Sequence, residues 1–164
     1  MTTSENAERA DFYAAAVNGS IITAALLVAF LQEHGSSEAT LGALLTTLAV
    51  FWLAHIWANV VGERLSTGVL IDGKRLRRIA RAEWPLEESA FLPSVPLVLG
   101  WWGVIDTHRA IEIATALALV QLLAWGLAAG RRAYKEWWRA LLVGLVDFAL
   151  GVAVVSLELL FVHH

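Results

Sequence analysis

The 164-residue chain is 58% hydrophobic and carries a formal net charge of −3, and its mean hydropathy is +0.62. This composition excludes an ordinary soluble domain. The absence of cysteine excludes disulfides, thiolate metal sites and thiol nucleophiles. Apolar stretches close to the ~20 residues that a helix needs to cross a bilayer recur along the chain.

These stretches predict an all-α membrane helix bundle that forms one domain, residues 1–164. Five membrane-spanning helices are expected, over residues 12–31, 41–61, 85–105, 110–129 and 140–162. A basic segment, residues 62–84, connects the second span to the third. The third span is expected to begin at Pro85, a residue type that suits the first turn of a helix, and to bend at Pro93 and Pro96.

The distribution of basic residues predicts the orientation of these spans in the membrane. Eleven of the 12 Lys and Arg residues precede the first span or lie in the connections after the second and fourth spans, and only Arg109 lies elsewhere. Cytoplasmic connections of membrane proteins carry an excess of Lys and Arg. The sequence therefore predicts a multi-pass protein of the bacterial cytoplasmic (inner) membrane, with its N-terminus inside and its C-terminus outside.

Three of the predicted spans place a polar side chain at a similar depth near the inner surface. These are Asn18 in the first span, His55 in the second and Asp147 in the fifth, with Asn59 one turn closer to the cytoplasm. An ionised carboxylate in hydrocarbon costs at least ~2.5 kcal/mol, so Asp147 is expected to face protein, water or an ion. We expect Asp147 and His55, assisted by Asn18, to form an inner polar site.

A second acidic residue of the fifth span, Glu158, lies nearer its outer end. Asp147 and Glu158 are 11 residues apart, about three helical turns, so they share one face. Gly144 and Gly151 lie on that face too. Because small residues permit close approach of membrane helices, this face is expected to meet protein or a pore rather than lipid. Glu112 of the fourth span completes an outer acidic set.

The predicted spans contain no Lys or Arg, so the interior is formally acidic and favours a proton or monovalent cation over an anion. His55 belongs to the residue type that titrates near neutral pH and can relay a proton. The predicted ion or proton pathway consists of Asp147, His55, Asn18, Asn59, Glu158 and Glu112. The alternative is that these groups only hydrogen-bond helices together, at ~0.6 kcal/mol per bond. No metal site and no cofactor is predicted.

The segment between the second and third spans predicts a basic amphipathic helix at the inner membrane surface. The side chains expected to contact lipid headgroups are Lys74, Arg75, Arg77, Arg78 and Arg81. The alternative is a loop that only sets the topology. Interleaved acids at Glu83, Glu87 and Glu88 argue against nucleic-acid binding. The pair His163 and His164 makes a weak metal site at best.

Residues 85–91, Pro-Leu-Glu-Glu-Ser-Ala-Phe, resemble a stretch of membrane-bound lycopene cyclases, which implies that Glu87 and Glu88 act as acids on a polyene. Residues 51–55, Phe-Trp-Leu-Ala-His, are similar to the second-helix segment of bacterial lysosomal-type potassium channels. Over most of the chain, residues 18–20, 55–58, 64–65 and 83–85 resemble a group of small bacterial integral membrane proteins of unassigned function. That last resemblance implies the pattern of spans and no residue roles.

Five short spans enclose little interior, so a translocation path is expected to need several protomers, and we predict a homo-oligomer in the lipid bilayer. The first hypothesis is a channel or transporter for a proton or monovalent cation. The second is a membrane enzyme that acts on a lipid or isoprenoid through Glu87 and Glu88. The third is a structural or accessory membrane subunit.

Overall fold

The computed structural model describes residues 3–32 and 35–162, with the surroundings of side chains 12–31 and 35–160, and all regular structure in this part of the chain is helical. The helices are α1 (Thr3–Gln32), α2 (Ser37–Thr67), α3 (Gly73–Ala82), α4 (Trp84–Glu88), α5 (Phe91–Trp101), α6 (Thr107–Ala133) and α7 (Trp137–Val162). Four of them, α1, α2, α6 and α7, are long and apolar enough to cross a membrane. Each contains one of the predicted apolar segments 12–31, 41–61, 110–129 and 140–162.

The third predicted span, residues 85–105, is not one bent helix but two short ones. A turn at Ser89 and Ala90 separates α4 from α5. Pro93 accounts for this break, because a proline has no N–H for the carbonyl four residues earlier and its ring clashes with that carbonyl. The carbonyl four residues before Pro93 belongs to Ser89. The helix is therefore interrupted at Ser89 and Ala90 and not at Pro93 itself.

The same segment also ends earlier than predicted, at Trp101. Gly103 has a left-handed backbone with φ of 73°, and the Val104 N–H donates to the Leu99 carbonyl over 2.9 Å. A hydrogen bond that reaches back five residues across a left-handed glycine is the Schellman motif, which ends a helix. The chain then turns to Asp106, whose carboxylate accepts from the His108 N–H at 2.9 Å and caps α6.

The core lies between α1, α2, α6 and the α4–α5 pair. Its buried side chains include Leu27 of α1, Leu48 of α2, Leu86 of α4 and Leu97 of α5. Pairs α4–α1, α5–α2 and α5–α6 are in contact, so the two short helices lie between the longer ones. Within the described residues, α7 contacts only α1 and α6. It therefore packs on the opposite side of the bundle from α2.

Most basic residues lie at one end of the molecule, the basic end, which contains the start of α1, the end of α2, α3, the end of α6 and the start of α7. The Arg132 guanidinium of α6 lies 5.6 Å from the Tyr13 ring of α1. Arg131 stacks over Trp137 of α7, 4.0 Å from the ring centroid. At the opposite end, Ser37 Oγ of α2 donates to Thr107 Oγ1 of α6 over 3.1 Å.

Candidate functional site

A pocket of about 710 Å³ lies between α1, α2 and α3 at the basic end, and we call it the polar pocket. Its polar lining residues are Asn18, His55, Asn59, Glu63, Ser66, Arg78 and Glu83. The structure thus brings together three of the residues predicted to form the ion pathway, Asn18, His55 and Asn59. Small residues, among them Ala14, Ala58 and Gly62, line the rest and leave the space open.

Hydrogen bonds hold α3 beside the second half of α2 and so form one wall of the polar pocket. Asn59 Nδ2 donates to Glu83 Oε1 over 2.8 Å, and Trp52 Nε1 donates to the Ala80 carbonyl over 3.1 Å. Arg75 forms an ion pair with Glu63. Asn59 is exposed and lies beside Glu83, the residue that follows α3.

His55 is half-buried in the same pocket. Its Nδ1 lies 2.9 Å from the Phe51 carbonyl oxygen. A carbonyl only accepts, so Nδ1 carries the proton, and Nε2 of the neutral ring is then an acceptor. In this tautomer His55 can accept a hydrogen bond through Nε2.

Asp147 lies elsewhere in the molecule. It does not line the polar pocket, and its helix α7 makes no contact with α2, the helix of His55. The predicted grouping of Asp147 with His55 is therefore not what the structure has. The two side chains are predicted at the same depth along their helices, but the helices themselves lie on opposite sides of the bundle.

The Asp147 carboxylate instead packs against Gly126 of α6. A Cβ added to Gly126 would collide with the Asp147 carboxylate and lie 2.8 Å from the Gly144 Cα, so only glycine leaves this space. The carboxylate is half-buried. Among the described residues, no side chain forms an ion pair with it and no group donates a hydrogen bond to it. Burial removes water from this carboxylate, and neither an ion pair nor a hydrogen bond from a described residue replaces that hydration.

The predicted face of α7 is confirmed. A Cβ at Gly144 would lie 3.1 Å from the Leu123 carbonyl oxygen, and one at Gly151 would lie 2.6 Å from Leu122 Cδ2, both on α6. The face that carries these glycines and Asp147 therefore meets protein. Glu158, farther along the same helix, is half-buried.

The other acidic residues that the sequence predicts as site residues lie neither at the polar pocket nor beside Asp147. Glu112 pairs with His108 across one turn of α6, with His108 Nδ1 and Glu112 Oε1 3.4 Å apart, and both side chains are more than half exposed, at 54% and 64%. Glu87 and Glu88 lie on α4, are half-buried, and line neither pocket described here. Glu87 Oε1 is buried without a hydrogen-bond partner among the described residues.

The predicted headgroup-contact residues divide into two sets. Arg75 is engaged by Glu63. The other four line a second pocket of about 430 Å³ with Phe12 and Ala82. These are Lys74, Arg77, Arg78 and Arg81. Arg78 lies between the two pockets and lines both.

Comparison of the chain with protein-family models, with curated proteins and with solved structures finds no match. Within the described residues, no group of three or more His, Cys, Asp or Glu side chains is placed to hold a metal ion. The pair His163 and His164 lies outside those residues. What the sites can do is therefore argued from their own chemistry.

One residue of the Asp147 site, Gly126, was missed by sequence reasoning, although the sequence contains a signal for it. Gly126 and Gly130 form a Gly-x-x-x-Gly pair, the pattern that allows close packing of membrane helices. Ala140 and Gly144 form the matching small pair on α7. A Cβ at Gly130 would lie 2.7 Å from the Ala140 Cα, so the two pairs do face each other.

Proposed function

We propose that this chain is a bacterial inner-membrane protein that crosses the bilayer five times, with its N-terminus in the cytoplasm. The four long apolar helices support this. The α4–α5 pair supplies the fifth crossing, because residues 84–101 extend about 27 Å at 1.5 Å per residue, close to the ~30 Å hydrocarbon thickness. The basic end faces the cytoplasm in this arrangement.

We further propose that the protein binds and transfers a proton or a monovalent cation at Asp147. The observation that carries this proposal is the half-buried carboxylate on Gly126, without a cationic or hydrogen-bonding partner among the described residues. In hydrocarbon, such a group is stabilised by taking up a proton or by coordinating a cation. A carboxylate that alternates between loaded and empty forms is the element that a carrier or channel site needs.

The site is completed by a second copy of the chain in this proposal. The apolar stretch of α7 is 17% buried within the protomer, like that of α2, against 44% for α1 and 33% for α6. Asp147 is half-buried against α6 on this poorly covered helix, so a partner packed on α7 beside the α6 contact covers the rest of the carboxylate and shields the bound ion from lipid. We therefore place the homo-oligomer contact along α7 rather than along α2.

Cross-linking tests the oligomer. The chain has no native cysteine, so single cysteines report without background. Val146→Cys on α7 and Leu53→Cys on α2 are matched, with 58% and 59% exposure. We expect disulfide-linked dimers in membranes for Val146→Cys and none for Leu53→Cys; the reverse result would move the interface to α2.

Flux into liposomes tests transport. The wild type is expected to pass protons or a monovalent cation, Asp147→Asn to lose this flux, and Asp147→Glu to retain part of it. Glu38→Gln is the matched control, since it removes an exposed carboxylate from the start of α2 and should leave flux unchanged. Equal flux in the wild type and Asp147→Asn, or no flux of any tested monovalent cation or proton in the wild type, would contradict the proposal.

Carbodiimide labelling tests the site separately from flux. Dicyclohexylcarbodiimide enters from lipid and reacts with protonated carboxyl groups in apolar surroundings. We expect one labelled residue, Asp147, with labelling that slows when the transported cation is added and disappears in Asp147→Asn. Labelling confined to Glu87 would favour the second candidate, a membrane enzyme acting on a lipid or isoprenoid, since Glu87 also carries a buried oxygen without a partner among the described residues.

A further inference from the structure

The pocket between the start of α1 and α3, here the basic pocket, has a lining of unusual charge. Of its six lining residues, Phe12 and Ala82 are apolar and the other four are basic. The basic residues Lys74, Arg77, Arg78 and Arg81 are spaced at i, i+3, i+4 and i+7 on α3, which places them on one face of the helix. Four cationic groups therefore point toward one volume of about 430 Å³.

Within the part of the chain that the structure describes, these four charges have no ion-pair partner. Arg75, on another face of α3, is neutralised by Glu63. Among the described residues, no acidic side chain forms an ion pair with Lys74, Arg77, Arg78 or Arg81. Like charges at positions i and i+4 of a helix repel each other, and this face has two such pairs, Lys74 with Arg78 and Arg77 with Arg81. A bound anion would remove that repulsion.

The position of the basic pocket indicates where the anion comes from. Phe12 follows a polar sequence, residues 3–11, and begins the apolar part of α1, so the pocket lies where this helix enters its apolar length. Trp84, directly after α3, and Trp137 and Trp138, at the start of α7, are exposed at the same end. Exposed tryptophans of this kind mark the membrane–water interface, where lipid phosphates lie.

We infer that the basic pocket is a binding site for the phosphate headgroup of an anionic membrane lipid. Guanidinium groups bind phosphate oxygens through paired N–H donors, and Lys74 adds a point charge. Phe12 lies where the glycerol and upper acyl chain of the lipid pass into the apolar layer. This site is independent of the proposed ion transfer at Asp147, because it involves other helices and other residues.

Lipid retention by the purified full-length protein tests the site. Native mass spectrometry from detergent would count phosphatidylglycerol and phosphatidylcholine bound per protomer as each lipid is titrated. The pocket variant is Arg77→Gln with Arg81→Gln. The matched control is Arg64→Gln with Lys135→Gln, which removes the same charge from exposed positions at the basic end outside both pockets.

The wild type is expected to bind one phosphatidylglycerol per protomer in preference to phosphatidylcholine. The pocket variant should lose about tenfold in affinity, while the control variant stays within about threefold of the wild type. Arg77→Lys with Arg81→Lys should recover part of the loss, which a folding defect would not allow. Thermal unfolding of each variant checks the fold directly.

Three results would overturn the inference. Equal losses in the pocket and control variants would mean a diffuse basic surface without a site. Equal retention of the two lipids would exclude recognition of a net anionic headgroup. Tight binding of soluble glycerol 3-phosphate by the lipid-free protein, abolished in the pocket variant, would keep a phosphate site but assign it to a soluble ligand.

Discussion

The two helical hairpins, α1–α2 and α6–α7, are built from similar small and apolar residues but pack differently. In α6 and α7, Gly126, Gly130, Gly144 and Gly151 each lie so close to the partner helix that an added Cβ would come within 3.1 Å of one of its atoms. In α2, Gly42 and Gly62 have no described atom within 4 Å of such a Cβ. One hairpin is closed along its length and the other is open.

The open hairpin is explained by the helices that enter it. A Cβ on Gly19 of α1 would lie 2.7 Å from the Leu86 carbonyl oxygen, so this glycine serves α4 rather than α2. The helix α4 contacts both α1 and α2, whereas α5 contacts α2 and α6. At the basic end the polar pocket lies between α1, α2 and α3. Small residues thus permit close packing, but the neighbouring elements decide whether it happens.

The addition of one methyl group to each hairpin tests this difference in packing most directly. Gly130→Ala should destabilise the protein by about 2–3 kcal/mol, because its Cβ would lie 2.7 Å from the Ala140 Cα and the helices must separate. Gly62→Ala, with nothing in reach, should stabilise it by up to ~1 kcal/mol through helix propensity. Unfolding in mixed micelles, followed by circular dichroism, gives both values; equal effects would contradict the comparison.

Asp147 sharpens the comparison within the closed hairpin. Because its carboxylate has no partner among the described residues, Asp147→Asn should raise the free energy of unfolding by about 1–2 kcal/mol in the same micelles. Glu112→Gln, at an exposed position, is the control and should change it by less than about 0.5 kcal/mol. A loss of stability in Asp147→Asn would show that the carboxylate is a structural partner of α6.

A hydrogen bond between α1 and the turn that follows α4 tests how the open hairpin is held. Thr23 Oγ1 and Ser89 Oγ are 3.2 Å apart and buried, and Ser89 Oγ also donates to the Leu86 carbonyl over 2.6 Å. Thr23→Val keeps the shape and leaves the Ser89 donor satisfied, so we expect a loss of only ~0.6 kcal/mol. Thr46→Val, at an exposed position of α2, should show no loss.

The smallest expected effect concerns the docking of α3 on α2. The bond from Asn59 to Glu83 is exposed, so Asn59→Ala should cost less than about 0.5 kcal/mol of global stability. It should nevertheless speed hydrogen exchange of the α3 amides a few-fold, since this bond closes one wall of the polar pocket. Unchanged exchange would mean that Trp52 and Arg75 hold α3 without it.

Much of the fold could be predicted from the sequence, and the particular failures have physical reasons. The four long helices follow from apolar length. The division of the third predicted span could not be placed from composition, because Pro93 either bends or breaks a helix depending on whether neighbours satisfy the freed carbonyls. The Gly126–Gly130 pair was visible in the sequence, but its counterpart on α7 is recognisable only once the two helices are known to meet.

The sequence by itself determined properties that belong to a single helix. These are the apolar lengths of α1, α2, α6 and α7, the gathering of basic residues in certain connections, and the face of α7 that carries Gly144 and Asp147. Helical periodicity gives a side chain its height and its face. It does not give the identity of the neighbour, which depends on how side chains of different helices fit together.

Only the tertiary structure therefore decided what each polar residue meets. It placed His55 and Asn18 on a pocket between α1, α2 and α3, and it placed Asp147 on Gly126 at the opposite side of the bundle. The physical reason is the packing of whole helices: α4 contacts both α1 and α2 beside the polar pocket, whereas the glycines of α6 and α7 let those two helices pack directly on each other. His55 and Asn18 are therefore brought to one pocket, and Asp147, which is predicted at a similar depth, is kept apart from them.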